Sequence, residues 1–190
     1  MAKDFAGNIY VAAYANTTQF PVSGGTYSRT GQKYIYKVAP SGAVQPVSAA
    51  IDPAVSTIRA LAVDGNGSVY FTGVAAPGLI TGPNAVIPSV PPGTVVAPYL
   101  IKLAPGGAAT VFATYLSIHG SRPGTRRPAD RRGFPIDSET TAYALTVDAS
   151  GNSYLAGQAN ADDFPVTPGS AAGHSYDTQF RDAFVAKLNP

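Results

Sequence analysis

The chain has 190 residues, of which 45% are hydrophobic and 13% charged, with a formal net charge of +2. This balance excludes a charge-rich disordered polypeptide. The absence of cysteine excludes a disulfide framework and thiol chemistry, and no apolar run reaches the roughly 18 residues of a membrane-spanning helix.

The chain opens with Asp4-Phe-Ala-Gly-Asn-Ile-Tyr10, in which Gly7 follows Asp4 by three positions and Tyr10 by six. An Asp/Gly/Asn cluster before an apolar segment predicts a tight hairpin turn, with the glycine taking positive φ and the carboxylate bonding nearby backbone. Ile9-Tyr-Val-Ala-Ala13 then reads as a strand. Ala13-Tyr-Ala15 resembles a leader-cleavage site, yet Lys3 is followed at once by Asp4 and the apolar run is short, so the stretch reads as a strand and not as a signal peptide. A polar, Gly-containing loop over 15–33 leads to Tyr34-Ile-Tyr-Lys-Val-Ala-Pro40, a strand carrying Lys37. Ser41-Gly42 predicts a further turn, and a weaker strand is expected over 44–49.

The same order then returns. Arg59-Ala-Leu-Ala-Val63 places Leu61 and Val63 on one face with period two. Asp64-Gly-Asn-Gly-Ser-Val-Tyr70 repeats the turn, with Gly67 at its third step, and Val69-Tyr-Phe-Thr-Gly73 continues as a strand. After a loop over 75–97 come Tyr99-Leu-Ile-Lys-Leu-Ala-Pro105 with Lys102, a turn at Gly106-Gly107, and Thr110-Val-Phe-Ala-Thr-Tyr-Leu116. A third round holds Tyr143-Ala-Leu-Thr-Val147, the turn Asp148-Ala-Ser-Gly-Asn-Ser-Tyr154 with Gly151, a loop over 159–181, and Phe184-Val-Ala-Lys-Leu-Asn-Pro190 with Lys187. A unit recurring every several tens of residues predicts a repeat architecture. Antiparallel strands in fours, separated by turns, predict propeller blades.

The expected fold is therefore all-β, a partial β-propeller of about three four-stranded antiparallel blades. Blade 1 covers 1–50 and lacks its inner strand. Blade 2 covers 57–117 and is complete. An irregular basic insertion occupies 118–140, and blade 3 covers 141–190 without its outer strand. Ten strands are expected. An open arc leaves edges and faces unpartnered, so the expected partner is a second copy completing a six-bladed ring, or the rest of a longer propeller.

The pattern Asp-x-x-Gly-Asn-x-Tyr, with Phe-Pro-Val at 20–22 and 164–166, Thr-Pro-Gly at 167–169 and Asp-Ala-Phe-Val-Ala-Lys-Leu-Asn-Pro at 182–190, resembles the bacterial SBBP-type β-propeller repeat. The third copy matches almost throughout. The first keeps Phe20-Pro21 but has Lys33-Tyr34 where the third has Asp-Ala, and the second departs most, at Leu79-Ile-Thr-Gly-Pro83. The resemblance implies a bacterial surface or secreted protein, extracellular in location, and carries no activity with it.

Candidate chemistry is sparse. The connection from Lys102 to Asp148 is longer than that from Lys37 to Asp64, and it holds Arg122, Arg126, Arg127, Arg131 and Arg132 against Asp130. Guanidinium forks match phosphate or carboxylated glycan bidentately; the plain alternative is a solvated surface loop with Pro123, Gly124, Pro128 and Gly133. Nucleic acid is disfavoured, because Phe134 is the sole aromatic beside the cluster. Asp64, Asn66 and Ser68, like Asp148, Ser150 and Asn152, place oxygens at alternate positions as a calcium loop begins, but no closing Glu follows. A turn role is expected for them, and no metal or other cofactor. His119 and His174 have no ligand spacing, Asp162-Asp163 reads as a solvated pair, and no Gly-x-Ser-x-Gly elbow occurs. Lys37, Lys102 and Lys187 recur at one repeat position, where a stem packed along the blade with its amine at the rim is expected.

These readings point to a non-catalytic scaffold or binding module with glycan or protein ligands at its loops. The alternatives are a lectin-like anionic-glycan binder and, third, a hydrolase or lyase with an axial site. Gly67→Val or Gly151→Val is expected to cost about 1–3 kcal/mol if the glycine holds positive φ. Thermal melts that leave both variants unchanged would place the turn elsewhere.

Overall fold

A computed structural model of the chain describes residues 1–14, 19–22, 25–28, 33–47, 51–117, 140–159, 166–169 and 182–190. Its strands are β1 (Ala2–Lys3), β2 (Ile9–Tyr14), β3 (Gln19–Val22), β4 (Gly25–Ser28), β5 (Lys33–Val38), β6 (Val44–Pro46), β7 (Val55–Val63), β8 (Val69–Ala75), β9 (Ala97–Leu103), β10 (Thr110–Tyr115), β11 (Thr141–Val147), β12 (Ser153–Ala159) and β13 (Asp182–Leu188). They form antiparallel sheets in the orders β1-β2-β5-β6, β7-β8-β9-β10 and β11-β12-β13, plus a separate β3-β4 pair. Among the described residues the only helical element is a 3₁₀ turn at Pro105–Gly107.

Two details differ from the sequence expectation. The first sheet holds a two-residue inner strand, β1, which pairs Ala2 with Tyr10 and Lys3 with Ile9; two residues carry no readable period. The segment expected to be loop, 15–33, contains the β3-β4 pair, with Phe20 opposite Tyr27.

The sheets stack by their faces. One core joins Tyr10, Ile35 and Val47 of the first sheet region to Phe71, Tyr99, Ile101 and Leu103 of the second. The other joins Leu100 and Leu116 to Ala142, Leu155 and Phe184 around the third sheet. The second sheet is thus covered on both sides, and every residue of β8 is buried. That is why β8 reads as an almost unbroken apolar run, a pattern set by two-sided burial. Its two hydroxyls stay satisfied: Thr72 donates to the Tyr99 carbonyl and Tyr70 to the Asp64 carboxylate. Stacking is closest at the inner strands: β11 lies against β7 and β8, and β7 against β1 and β2.

A bulge shapes each complete inner strand. In the second sheet the register slips between Ile58 and Ala60, and in the third between Ala142 and Ala144. Beside the bulges stand Gly73 and Gly157. A Cβ on Gly73 would lie 2.2 Å from the Thr57 carbonyl oxygen, and one on Gly157 would lie 2.1 Å from that of Thr141. The first sheet has Ala13 at this position, opposite Tyr34 as Gly73 is opposite Tyr99. Among the described residues, the pairing of β1 with β2 covers Ile9 and Tyr10 and not Ala13.

The loop between β8 and β9 packs down on the sheet. Leu79 and Ile87 join the core. Ile87 bridges to Tyr115 on the outer strand β10, its N–H donates to Thr114 Oγ1 at 2.9 Å, and the Tyr115 hydroxyl donates to the Ala76 carbonyl at 2.7 Å. The loop thereby covers part of an edge that would otherwise offer unpaired backbone.

Gly73→Ala and Gly157→Ala are each expected to cost about 1–3 kcal/mol through the forced backbone shift, while Ala13→Gly has no such contact to relieve. Denaturant unfolding of the three variants checks this; equal stabilities would contradict the close approach.

Candidate functional site

The polar residues that recur in the sequence assemble into one arrangement per sheet, centred on the turn between inner and second strand. In the third sheet the Asp148 carboxylate gathers four donors. Oδ1 accepts the N–H groups of Ser150 and Asn152, both at 2.9 Å. Oδ2 accepts the Asn152 side-chain amide at 2.7 Å and the Tyr154 hydroxyl at 3.0 Å. The Gly151 N–H closes the turn on the Asp148 carbonyl at 3.0 Å, with φ of 82° at the glycine, a conformation that a side chain would strain.

The first turn repeats this. Asp4 accepts the Asn8 N–H at 2.9 Å, the Asn8 amide at 2.7 Å and the Tyr10 hydroxyl at 3.3 Å. In the second, Asp64 accepts the N–H groups of Asn66 and Ser68 at 2.9 Å and the Tyr70 hydroxyl at 3.2 Å. Ser68 stands where the other turns have asparagine, so the amide donor to Oδ2 is missing. Lys102 supplies positive charge instead, with Nζ 3.8 Å from Asp64 Oδ2.

Register explains why the lysines belong to this group. Lys37 is opposite Tyr10, Lys102 opposite Tyr70, and Lys187 opposite Tyr154. The Lys102 amine lies 4.8 Å from the Tyr70 ring centroid and that of Lys187 lies 5.6 Å from the Tyr154 ring, a cation–π placement. These amines therefore sit over tyrosine rings, a more specific position than the rim expected from sequence.

The electrostatics follow from the donors. Burial works to raise the Asp4 pKa, but the Asn8 amide, the Asn8 N–H, the Tyr10 hydroxyl and the Lys37 charge outweigh it and hold the carboxyl below its ordinary 3.8. For Asp148 the Asn152 side-chain bond leads the lowering, against burial. Burial chiefly, and then the neighbouring aspartate, raises the Tyr10 hydroxyl. The carboxylates of Asp4 and Asp148 are thus stabilised as anions by the donors around them, and the Tyr10 hydroxyl is stabilised in its protonated form.

Of the calcium candidates, Asp64 and Asp148 have their carboxylate oxygens turned to N–H and O–H donors of their own turns, while Asn66 and Asn152 give backbone N–H to those carboxylates. Among the described residues no three of His, Asp and Glu gather as a metal site would require. Arg122, Arg126, Arg127, Arg131 and Arg132 lie outside the described residues, as do His119, His174, Asp162 and Asp163. The sequence reading missed the bulge glycines Gly73 and Gly157 as a pair, although both stand three residues after the motif tyrosine. It also missed Asp52, whose carboxylate accepts the N–H groups of Ala54 at 2.7 Å and Ile80 at 2.8 Å; that residue is not repeated and has no motif around it.

Three antiparallel sheets of four, four and three strands, stacked on one another and each organised by the same turn, form a partial β-propeller. Residues 136–165 match the SBBP family model, described as a beta-propeller repeat. That segment holds β11, the Asp148 turn and β12. No match is found among curated proteins. No helix among the described residues is long and apolar enough to cross a membrane.

A carboxylate whose folded pKa is depressed contributes stability above its unfolded value, and that contribution disappears as pH falls through the folded value. For Asp4 and Asp148 the loss is therefore expected as pH drops below about 3.8. Melting curves across this range should show a steeper acid loss for the native chain than for an Asp4→Asn, Asp148→Asn double variant; parallel curves would contradict the assignment.

Proposed function

We propose that the chain is a non-catalytic propeller scaffold whose connecting loops do the binding, in a bacterial surface or secreted protein. One observation carries this reading: the recurring Tyr hydroxyl donates to the recurring Asp carboxylate of its own turn in each of the three main sheets. Catalysis uses one constellation of groups available to a substrate. Here the groups are repeated and taken up by their own turns. The bacterial surface setting rests on the resemblance of the repeat alone, while the family match over 136–165 supports the propeller repeat itself.

A scaffold of this kind leaves recognition to segments that differ between repeats. Those are the connections over 15–33, 75–97 and 159–181 and the arginine-rich stretch over 118–140. In the second of these Ile80, Val86 and Val95 are exposed, giving it apolar surface for a protein ligand. The arginine-rich stretch favours a second ligand class, since five guanidinium groups opposed by Asp130 form a concentrated cationic segment. Sulfated or carboxylated glycans match it by charge and by bidentate geometry.

Replacement of Arg122, Arg126, Arg127, Arg131 and Arg132 by Ser is expected to abolish retention on heparin while leaving the melting temperature unchanged. Retention by the variant would remove the segment from ligand binding. Release of reducing ends from anionic glycans incubated with the pure protein would overturn the non-catalytic reading.

A further inference from the structure

We propose that the seam between the first and second sheets is a binding cleft for a carboxylate-bearing saccharide, with Tyr14 as its platform and Arg59 as its anion contact. Such a cleft presumes the binding scaffold proposed above and adds a site borne by strands to those in its loops. Strand order places all the variable connections at one end of the sheets. β2, β8 and β12 finish there, at Tyr14, Ala75 and Ala159, and β5, β9 and β13 begin there. The arginine-rich stretch joins the end of β10 to the start of β11, at this same end. The Asp turns close the other end, so the cleft and the variable segments share a side.

The chain holds two such seams, one between the first and second sheets and one between the second and third. In both, the face carrying the motif tyrosine of one sheet lies against the next sheet. Counted from the motif tyrosine and lysine, Tyr14 and Lys33 of the first sheet correspond to Val74 and Pro98 of the second, and each pair is in register. Val74 and Pro98 are buried, so that seam is sealed. Tyr14 is instead 53% exposed, and Lys33 is half-buried. Both seams have a sheet on either side, so the difference lies in these residues and not in a missing neighbour.

Strand β7 fixes the polar groups in place. The Tyr14 hydroxyl accepts the Ile58 N–H at 2.7 Å and donates to the Ser56 carbonyl at 3.4 Å. The Lys33 ammonium donates to the Val55 carbonyl, which brings a positive charge to the seam. The Tyr14 ring is therefore anchored at its hydroxyl while much of its surface meets solvent. A tyrosine held in this way offers contact area at little entropic cost when a ligand stacks on it.

Arg59 completes the cleft. It is the extra residue where the β7 register slips between Ile58 and Ala60, so it has no partner on β8, and it is exposed. Bulges re-aim a side chain in this way. It adjoins Ile58, whose N–H the Tyr14 hydroxyl accepts. Partial burial raises the Tyr14 pKa, opposed by that N–H and then by the Arg59 charge, which lies within electrostatic reach of the phenol. Among the described residues no carboxylate is within ion-pair distance of Arg59. Asp52 is turned to the N–H groups of Ala54 and Ile80, and Asp64 to its own turn. The positions gripped by Lys33 and carrying Arg59 are four residues apart, at most about 13 Å of strand, with the tyrosine between them. A sugar acid fits this layout: the guanidinium fork takes its carboxylate bidentately, and the apolar C–H face of its ring lies on the tyrosine. One aromatic ring does not make the run of stacking surfaces that a nucleic-acid strand uses.

A chemical-shift titration with trigalacturonate tests this on the native chain, on Arg59→Ala and on Arg59→Lys. Arg59 is exposed and outside the strand ladder, so both variants are expected to melt as the native chain does. The native chain is expected to bind in the millimolar range, Arg59→Ala at least tenfold more weakly, and Arg59→Lys, which keeps the charge but loses the fork, in between. The methyl-esterified trisaccharide should also bind at least tenfold more weakly. The chain with its five clustered arginines replaced by Ser should bind as the native chain does. Absence of binding, binding unchanged by Arg59→Ala, or equal binding of the methyl ester overturns the proposal. Loss of binding in the five-arginine variant would move the contact to that stretch and overturn it too, as would an oligothymidylate bound through Arg59 in preference to the uronate. A trisaccharide held this weakly is not retained on a column, so heparin retention reports the arginine-rich stretch separately, and failure at the seam leaves that reading standing.

Discussion

Each of the three main sheets depends on one carboxylate that turns inward on its own hairpin. Asp4, Asp64 and Asp148 each collect one or two backbone N–H groups from the turn and a tyrosine hydroxyl from the strand that follows. Charge-assisted bonds of this kind are stronger than neutral ones, and they fix two things together. The backbone bonds set the turn, and the tyrosine bond fixes which way the next strand faces. Because side chains alternate along a strand, setting one residue sets the whole strand. The tyrosine face of each sheet is therefore determined at the turn, before any contact with another sheet.

From that face the stacking follows. A sheet whose tyrosine side is covered must receive an apolar surface from its neighbour, and the neighbour supplies it with the alternate residues of its own second and third strands. The middle sheet both gives and receives, so β8 is buried along its whole length. The bulges serve the same end. They bend the inner strand where it crosses the preceding sheet, and they bring its carbonyl so close to β8 and β12 that only glycine fits at positions 73 and 157. The first sheet, with a two-residue inner strand, keeps Ala13 there.

The functional consequence is a division of labour. The charged and hydroxyl-bearing residues that recur are occupied by architecture: the aspartates by donors, the tyrosines by aspartates, and Lys102 and Lys187 by tyrosine rings. In the proposed scaffold, recognition is left to whatever differs between repeats. The formal net charge is only +2, so the five arginines of a single stretch stand out against a nearly neutral background. Under the proposed binding role, a ligand would change through the connections without disturbing the turns that hold the sheets.

Much of this was legible from the residues alone. The Asp-Gly-Tyr turns were readable because all their bonds join residues no more than 6 positions apart, so spacing and side-chain chemistry suffice. The strands after each turn were readable for the same reason. Other features needed the folded chain. Strand β1 has two residues and no period; β3 and β4 lie in a stretch whose Pro21, Gly24 and Gly25 read as loop; and Leu79 and Ile87 become core only because the outer strand passes beneath them. The lysines recur visibly, but their places over Tyr70 and Tyr154 come from the pairing of strands more than thirty residues apart. The amino-acid sequence by itself determined the turn and the face of each strand, since those are settled by bonds between near neighbours. Which faces are buried was decided only by the stacking of sheets, because burial is a property of whatever comes to lie on top.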